Sequence, residues 1–230
     1  MSEPEEKRGL LSIVATPIGN LEDLSPRARR ALETADVVAC EDTRTSGLLL
    51  HRLGIKKRLV SLHEHNERQR LPQMLEMLAA GESVAVISDA GTPLLSDPGF
   101  LLVRAAAQAG HRVEAVPGPS AILTALVVSG LPPLPFTFAG FPPPKSGKRR
   151  QFFRSLAALE HTVIFFESPH RLLPSLADAF AELGERPAAV ARELTKLYEE
   201  VLRGPLSELL AELSARPSLK GEFVVVLGKS

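Results

Sequence analysis

The chain has 230 residues, of which 44% are hydrophobic and 23% charged, and its 27 basic and 27 acidic side chains cancel. A zero net charge excludes a whole-molecule attraction to nucleic acid or membranes, so a polyanion would have to bind a local patch. The single cysteine, Cys40, excludes an intramolecular disulfide and a multi-cysteine zinc site. The N-terminus is charged and no segment has the roughly 18 apolar residues of a membrane span, so we expect a cytoplasmic protein without membrane contact.

Short runs rich in valine and isoleucine alternate with helical patterns through the first half of the chain. The predicted strands cover 10–16, 36–41, 58–63, 83–89 and 111–117. The predicted helices cover 25–35, 68–82 and 97–110, and the first of them has Ser25 as N-cap and Pro26 at its first position. This alternation predicts a doubly wound α/β sheet.

The pattern breaks between Ser129 and Pro135, where three prolines predict a linker. The prediction is therefore an N-terminal α/β domain over 1–128, a linker over 129–135 and a C-terminal α/β domain over 136–230. Strands are predicted at 136–141, 161–167, 187–193 and 221–228, with helices at 149–159, 171–183 and 205–213. Segment 197–204 is predicted to pair as a hairpin with the strand before it, in a mixed sheet.

Three loops that follow predicted strands combine proline with glycine. They read "TPIGN" at 16–20, "SDAGTPLLSDPG" at 88–99 and "PGPSA" at 117–121. Each could be an ordinary turn, but three such loops at the carboxyl ends of strands favour a nucleotide-like ligand. The chain has neither a G-x-G-x-x-G motif after the first strand nor a G-x-x-x-x-G-K-[ST] motif, which disfavours a dinucleotide or a triphosphate.

Seven segments, in order along the chain, resemble one known family. They are "ATPIGNLEDLSPRA", "ADVVACEDTRTSGLLL", "SDAGTPLLSDPG", "VPGPSA", "FFESPHRL", "ARELTK" and "KGEFVVV". Between Leu11 and Gly228 the chain is similar to the ribosomal RNA small subunit methyltransferase I family, which has the tetrapyrrole methylase fold. The resemblance implies two α/β domains with S-adenosylmethionine in a cleft between them, and a homodimer. It also implies 2′-O-methylation of a cytidine ribose in the decoding region of 16S rRNA, with the RNA in the 30S subunit.

The resemblance also implies a set of cofactor-binding residues. In the first domain these are Pro17, Ser88, Asp89, Ala90, Gly91, Thr92, Ser120 and Ala121, and in the second domain they are Phe166, Glu167, Arg192 and Leu194. Asp89 is suited to accept hydrogen bonds from ribose hydroxyls or to lie near the positive end of the cofactor. We interpret Asp97, in the Asp-Pro-Gly that ends the second loop, as a helix cap.

Methyl transfer to a ribose needs a group that takes the hydroxyl proton or stabilises the alkoxide. Three clusters offer such groups: Glu41, Asp42 and Arg44; His63, Glu64 and His65; and Arg192, Glu193 and Lys196. We predict that Asp42 and Arg44 are catalytic, with Glu193 as a partner, and the alternative for Asp42 is a helix cap. No metal site is predicted, because the chain lacks a cysteine cluster and an H-E-x-x-H motif.

RNA binding requires a local basic patch. The segment "PPPKSGKRR" provides one, with Lys145, Lys148, Arg149 and Arg150 on a predicted mobile loop that would contact phosphates. The alternative for this charge run is a solvated surface. Two other functions stay open: a tetrapyrrole-precursor methyltransferase of the same fold, and a binding module that holds the cofactor without catalysis.

Overall fold

The structure is a computed structural model that describes residues 9–229. The chain divides into two compact units, Met1–Ser120 and Ala121–Ser230. The first unit contains a five-stranded sheet of β1 (Leu10–Val14), β2 (Val37–Cys40), β3 (Arg58–Ser61), β4 (Val84–Ile87) and β5 (Arg112–Val116). Their order in the sheet is β3-β2-β4-β1-β5, and every pair is parallel. The five predicted strands are therefore confirmed, and their carboxyl ends share one edge.

Helices cover both faces of this sheet. They are α1 (Pro26–Thr34), α2 (Thr43–Arg52), α3 (Glu67–Ala79) and α4 (Phe100–Gln108), with a 3₁₀ turn at Leu21–Asp23. Helix α1 begins as predicted, because the Ser25 side chain accepts a hydrogen bond from the backbone N–H of Ala28 and Pro26 takes the first position. Helices α1 and α2 contribute to one hydrophobic cluster, and α3 and α4 contribute to another. The first unit is thus doubly wound, as the alternating pattern predicts.

The second unit begins with α5 (Ala121–Ser129) and contains a second five-stranded sheet. Its elements are β6 (Phe136–Phe138), α6 (Ser146–Leu156), β7 (Thr162–Glu167), α7 (Leu172–Leu183), β8 (Pro187–Arg192), β9 (Glu200–Pro205), α8 (Leu206–Ser214) and β10 (Phe223–Leu227). The strand order is β6-β7-β10-β8-β9; β6 and β7 are parallel and the other pairs are antiparallel. This confirms the predicted mixed sheet and the predicted hairpin of β8 with β9.

Strand β10 shows how both faces of the second sheet are buried. Its alternate residues Phe223, Val225 and Leu227 belong to the cluster formed with helices α6, α7 and α8. The residues between them, Val224 and Val226, point to the other face and are buried as well. Helix α5 packs against β7, β8, β9 and β10. None of the helices that the structure describes is long and apolar enough to cross a membrane.

Because α5 packs in the second unit, the boundary between the units lies before this helix and not after it. The sequence prediction ended the first domain at 128 and used 129–135 as the linker, whereas the compact units divide after Ser120. Helix α5 is apolar on most of its surface, with Ile122, Ala125 and Leu126 buried, so it belongs to the sheet that covers it. The proline-rich segment after α5 consequently lies inside the second unit.

Candidate cofactor-binding and catalytic site

The three proline- and glycine-containing loops of the first unit are joined by hydrogen bonds. Thr16 and Gly91 exchange backbone hydrogen bonds, with N···O distances of 2.9 and 3.0 Å. The Thr16 hydroxyl also donates to the carbonyl of Ser88 at 3.3 Å, and the Thr92 hydroxyl donates to the carbonyl of Pro119 at 3.1 Å. The loops after β1, β4 and β5 therefore form one connected rim at the carboxyl edge of the sheet.

Two glycines let these loops approach each other closely. Gly91 has φ +81°, in the left-handed region, and a Cβ at this position would lie 3.1 Å from Cγ2 of Ile18. A Cβ on Gly118 would lie 3.0 Å from Cβ of Ala15. A side chain at either position would therefore crowd the neighbouring loop, and glycine allows the close packing of the rim.

The predicted cofactor residues of the first unit lie along this rim. Ser88 is buried at the end of β4, Asp89 and Ala90 are exposed, and Pro17, Thr92 and Ser120 are partly exposed. The structure brings together the residues that were predicted from three separate segments of the sequence.

Asp42 and Arg44 lie beside this rim at the start of α2. Asp42 is the N-cap of the helix, and its side chain accepts a hydrogen bond of 2.8 Å from the backbone N–H of Arg44. The Arg44 guanidinium donates to the same carboxylate, with Nη2 2.6 Å from Oδ2. The backbone N–H of Asp42 donates to Oδ1 of Asp89 at 3.3 Å, which links the cap to the loop after β4.

These contacts determine the acidity of Asp42. Hydrogen bonds from the side chain and backbone of Arg44 lower its pKa to about 2. A carboxylate this acidic is a weak base at neutral pH. The capping alternative for Asp42 is therefore what the structure shows, while the Arg44 side chain, 90% exposed, remains open to contact a ligand.

Asp97 is the residue whose role the sequence analysis missed. Helix α4 begins at Phe100 with Gly99 as N-cap, and no side chain of the Asp-Pro-Gly caps it, so the interpretation of Asp97 as a cap is wrong. The carboxylate of Glu67, from the start of α3, takes that place and accepts from the backbone N–H groups of Gly99 (3.0 Å) and Leu101 (2.9 Å). A carboxylate 32 residues away in the chain cannot be read from the local pattern.

Asp97 does not cap the helix and instead belongs to a cluster of acidic residues at the rim, with Glu41 and Asp89. The pKa of Asp97 is raised to about 6, first by burial and then by the charge of Glu41, while a hydrogen bond with Ser88 acts to lower it. Loss of hydration likewise raises the pKa of Glu41 and of Asp89. A carboxylate with a pKa near neutrality is suited to accept a proton, and perturbed groups of this kind concentrate at functional sites.

The loop between β4 and α4 also holds a strained backbone. Leu94 (φ +73°) and Ser96 (φ +76°) are non-glycine residues in the left-handed region. Each such conformation costs roughly 1–2 kcal/mol and persists only where the surrounding structure enforces it.

In the second unit the predicted residues share one sheet edge. Strands β7 and β8 both pair with β10, and Glu167 and Arg192 are both in register with Phe223. The two residues therefore lie on the strands that flank β10, about 10 Å apart across the sheet. Leu194 is buried just beyond Arg192, and Ala121 begins helix α5.

Glu167 is occupied by local contacts. It is 3% exposed, and it accepts hydrogen bonds from the backbone N–H of Ser168 and the hydroxyl of Ser175. Its carboxylate also pairs with Arg171, with Oε1 2.6 Å from Nη2. The neighbouring Phe166 packs its ring against Phe138 with a centroid distance of 4.9 Å. Glu167 thereby fixes the start of α7 at this edge, and Phe166 offers a partly exposed aromatic face.

Glu193 is likewise held by its neighbours. Its Oε1 accepts from the Lys196 ammonium and from the backbone N–H of Glu222, both at 2.9 Å. Burial acts to raise the pKa of Glu193, but these two hydrogen bonds outweigh it and lower the pKa. Glu193 is therefore poorly suited to take a proton. Its φ of +51° is in the left-handed region, so the segment after β8 is strained like the loop after β4.

The predicted RNA-binding cations lie on a helix, so the prediction of a mobile loop is wrong. Lys145 is the N-cap of α6, and the other three lie in its first turns. Arg149 is 5% exposed and pairs with Asp178 of α7, with Nη2 2.7 Å from Oδ2. Arg150 pairs with Glu182 of the same helix at 2.6 Å. Of these four residues, only Lys145 and Lys148 are exposed and have no ion pair among the described residues.

The sequence matches the family Tetrapyrrole (Corrin/Porphyrin) Methylases over residues 10–210. Among solved structures, uroporphyrin-III-C-methyltransferase from Thermus thermophilus is similar with a TM-score of 0.64 and 25% identity, covering 96% of this chain and 95% of that chain. Diphthine synthase is similar with a TM-score of 0.73 and 17% identity, covering 96% and 90%, and shows the same fold.

Curated relatives are much more similar in sequence. The protein named ribosomal RNA small subunit methyltransferase I in Mesorhizobium japonicum is 52% identical over 95% of this chain and 74% of its own length. Proteins with the same name in Xylella fastidiosa and Escherichia coli O157:H7 are 51% and 48% identical, over 95% and 97% of this chain and 81% and 79% of theirs. The chain belongs to the ribosomal RNA small subunit methyltransferase I family, within the tetrapyrrole methylases.

Proposed function

We propose that this protein transfers a methyl group from S-adenosylmethionine to the ribose 2′-hydroxyl of a cytidine in the decoding region of 16S rRNA. The observation that carries the proposal is the rim of the first unit, where three loops are joined through Thr16, Gly91 and Thr92 beside a group of carboxylates. The names of relatives 48–52% identical to this chain supply the acceptor class.

The residues of the rim fit a nucleoside cofactor. The exposed Asp89 carboxylate is suited to accept hydrogen bonds from ribose hydroxyls, and the backbone at Gly91 has no side chain to hold a ligand away. We assign cofactor contacts in the first unit to Pro17, Ser88, Asp89, Ala90, Gly91, Thr92 and Ser120. In the second unit we assign them to Ala121, Phe166, Glu167, Arg192 and Leu194. S-adenosylmethionine supplies an electrophilic methyl group when it is bound.

The work left to the protein is to orient the ribose hydroxyl and to relieve it of its proton. We propose that Asp97 accepts this proton, because burial is the main cause that raises the pKa of its carboxyl group to about 6. Arg44 is exposed and cationic, so it is placed to stabilise the developing negative charge or a neighbouring phosphate. Asp42 acts by holding Arg44, and Glu193 by holding the segment after β8.

RNA phosphates are contacted by Lys145 and Lys148, whose ammonium groups are exposed at the start of α6. Arg149 and Arg150 are engaged by carboxylates and support the helix. We further propose that the protein acts in the cytoplasm as a homodimer and that its acceptor is the assembled 30S subunit.

A tetrapyrrole-precursor methyltransferase is the second candidate, because uroporphyrin-III-C-methyltransferase shares this fold along 96% of the chain at 25% identity. The much higher identity to the ribosomal relatives favours the first candidate. Incubation with methyl-labelled S-adenosylmethionine and three acceptors, unmethylated 30S subunits, naked 16S rRNA and uroporphyrinogen III, separates them. We expect label in the 30S subunit. Label in uroporphyrinogen III alone would contradict the proposal.

The variant Asp89→Asn links this activity to the rim, with Asp36→Asn as its control. Asp36 is also exposed and also binds a backbone N–H, that of Ser83, but it precedes β2 at the amino edge of the sheet. We expect Asp89→Asn to weaken calorimetric binding of S-adenosylhomocysteine at least about tenfold, the loss of one charge-assisted hydrogen bond. Asp36→Asn is expected to bind like the unaltered protein; equal binding by both variants would remove Asp89 from the site.

A further inference from the structure

A basic pocket lies at the opposite edge of the first sheet from the rim. It is lined by the end of α2 and the start of β3, through Gly47, Leu50, His51, Ile55, Lys56, Lys57, Arg58 and Leu59, and has a volume of about 500 Å³. No aspartate or glutamate occurs between Asp42 and Glu64 in the sequence. The pocket therefore combines positive charge with a lining that contains no carboxylate.

The cations of this pocket are not neutralised by the fold. Within residues 9–229, no ion pair joins Lys56, Lys57 or Arg58 to a carboxylate. By contrast, Arg149 and Arg150 of α6 are paired with carboxylates of α7. They belong to the basic run that the sequence analysis predicts to bind RNA. Unpaired cations gathered at one place in a chain of zero net charge create a local positive potential that attracts an external anion.

The backbone holds these cations in place. Gly54 follows α2 with φ +72°, and the backbone N–H groups of Gly54 and Ile55 donate to the carbonyls of His51 (3.0 Å) and Leu50 (2.9 Å), as in a helix end closed by a left-handed glycine. Leu50 and Ile55 are buried on either side of this turn. A histidine in the last turn of α2, such as His51, is explained by the negative end of the helix. Lys56, Lys57 and Arg58 follow the helix, so the helix end does not explain their position.

We propose that this pocket, formed by His51, Lys56, Lys57 and Arg58, binds the phosphate backbone of the ribosomal RNA substrate away from the reacting ribose. The inference rests on the proposed function, which supplies a long polyanion as the acceptor. Helix α2 has 10 residues and so spans about 15 Å between the Asp42–Arg44 end at the rim and this pocket. An RNA that reaches the rim can extend along α2 to the pocket. Phosphate contacts of this kind fix register and carry no base specificity.

The test uses the double variant Lys56→Gln/Lys57→Gln and the control Arg30→Gln/Arg104→Gln. The control removes two exposed arginines of the same unit, on α1 and α4, which have no ion pair in the described chain. Filter binding to 16S rRNA is measured over a series of salt concentrations, and methyl transfer to 30S subunits gives KM and kcat.

We expect the Lys56/Lys57 variant to weaken RNA binding about tenfold at low salt and to reduce the slope of log K against log salt by about 1–2. KM for 30S subunits rises in parallel while kcat stays unchanged, because the pocket is remote from the chemistry. A variant that matches the control in both readouts would overturn this inference while leaving the proposed function intact. If the wild-type protein methylates no RNA, the proposed function is contradicted. The salt dependence of binding to 16S rRNA, compared between the wild type and the Lys56/Lys57 variant, then still tests whether the pocket binds RNA. If the wild type does not bind RNA, the inference is overturned as well.

Discussion

Replacing Gly91 with alanine tests whether the rim of the first unit binds the cofactor through its backbone. The residue has φ +81°, so an alanine there adopts a left-handed conformation at a cost of roughly 1–2 kcal/mol. The new Cβ would also lie 3.1 Å from Cγ2 of Ile18, so Ile18 in the loop after β1 has to shift by a few tenths of an ångström. Together these effects predict a loss of about 2 kcal/mol in the free energy of unfolding.

Gly54→Ala is the matched control for this substitution. Gly54 has a similar φ of +72°, but a Cβ there meets no atom within 4 Å. The control therefore carries the same backbone penalty of roughly 1–2 kcal/mol without the displacement of a loop. Because Gly54 lies at the end of α2 and not at the rim, we expect Gly54→Ala to bind S-adenosylhomocysteine normally.

The assay combines urea unfolding with calorimetric binding of S-adenosylhomocysteine. We expect both variants to lose stability, and only Gly91→Ala to bind the ligand at least about tenfold more weakly, as the lost contact of a displaced loop implies. If Gly91→Ala binds like the unaltered protein, or if both variants lose binding equally, the close backbone approach at Gly91 has no part in cofactor recognition.

Two further substitutions test assignments made from the structure. Because the pKa of Asp97 is raised from 3.8 to about 6, the folded state binds a proton more readily than the unfolded state, so this group lowers stability as the pH rises from about 4 to about 6. Asp97→Asn should abolish that decline in stability, which is worth up to about 3 kcal/mol. The variant should also slow methyl transfer and remove an apparent pKa near 6 from the pH profile of the rate. If the pH profiles of unfolding and of the rate stay unchanged, the assignment is refuted. Arg149→Met leaves the Asp178 carboxylate of a largely buried pair without its cation and should cost about 3–5 kcal/mol in urea unfolding, whereas Lys148→Met on the exposed side of α6 should cost less than about 0.5 kcal/mol. Equal stability of these two variants would show that the buried pair does not support the helix.

The central strands of both units are predictable because their side chains are buried on both faces. Continuous apolar runs such as 84–87 and 223–227 have no other stable environment, and turn residues mark their ends. The start of α1 is predictable for a different reason: Ser25 and Pro26 act within one turn of the chain.

The predictions that failed depend on distant residues. The Asp-Pro-Gly before α4 has the sequence of a cap, but Glu67 reaches the same backbone groups from another helix. The charge run at 145–150 contains a serine and a glycine and so reads as a loop, but Arg149 and Arg150 pair with Asp178 and Glu182 of α7. Contacts between elements, which local sequence does not encode, decide both cases.

The position of the domain boundary could have been predicted from the sequence, because the segment before the prolines is apolar. Three prolines drew the boundary to 129–135, but the preceding segment "AILTALVVS" is apolar on every side of a helix. Such a helix has to pack against other apolar residues, and the second sheet buries Ile122, Ala125 and Leu126.

Identification of the methylated nucleotide tests the central claim most directly. Unmethylated 30S subunits are incubated with the protein and methyl-labelled S-adenosylmethionine, and the 16S rRNA is digested to nucleosides and separated by liquid chromatography with mass spectrometry. We expect the label in a single 2′-O-methylcytidine per subunit. Label on a base, on a different nucleoside or on no nucleoside would contradict the proposed ribose methylation.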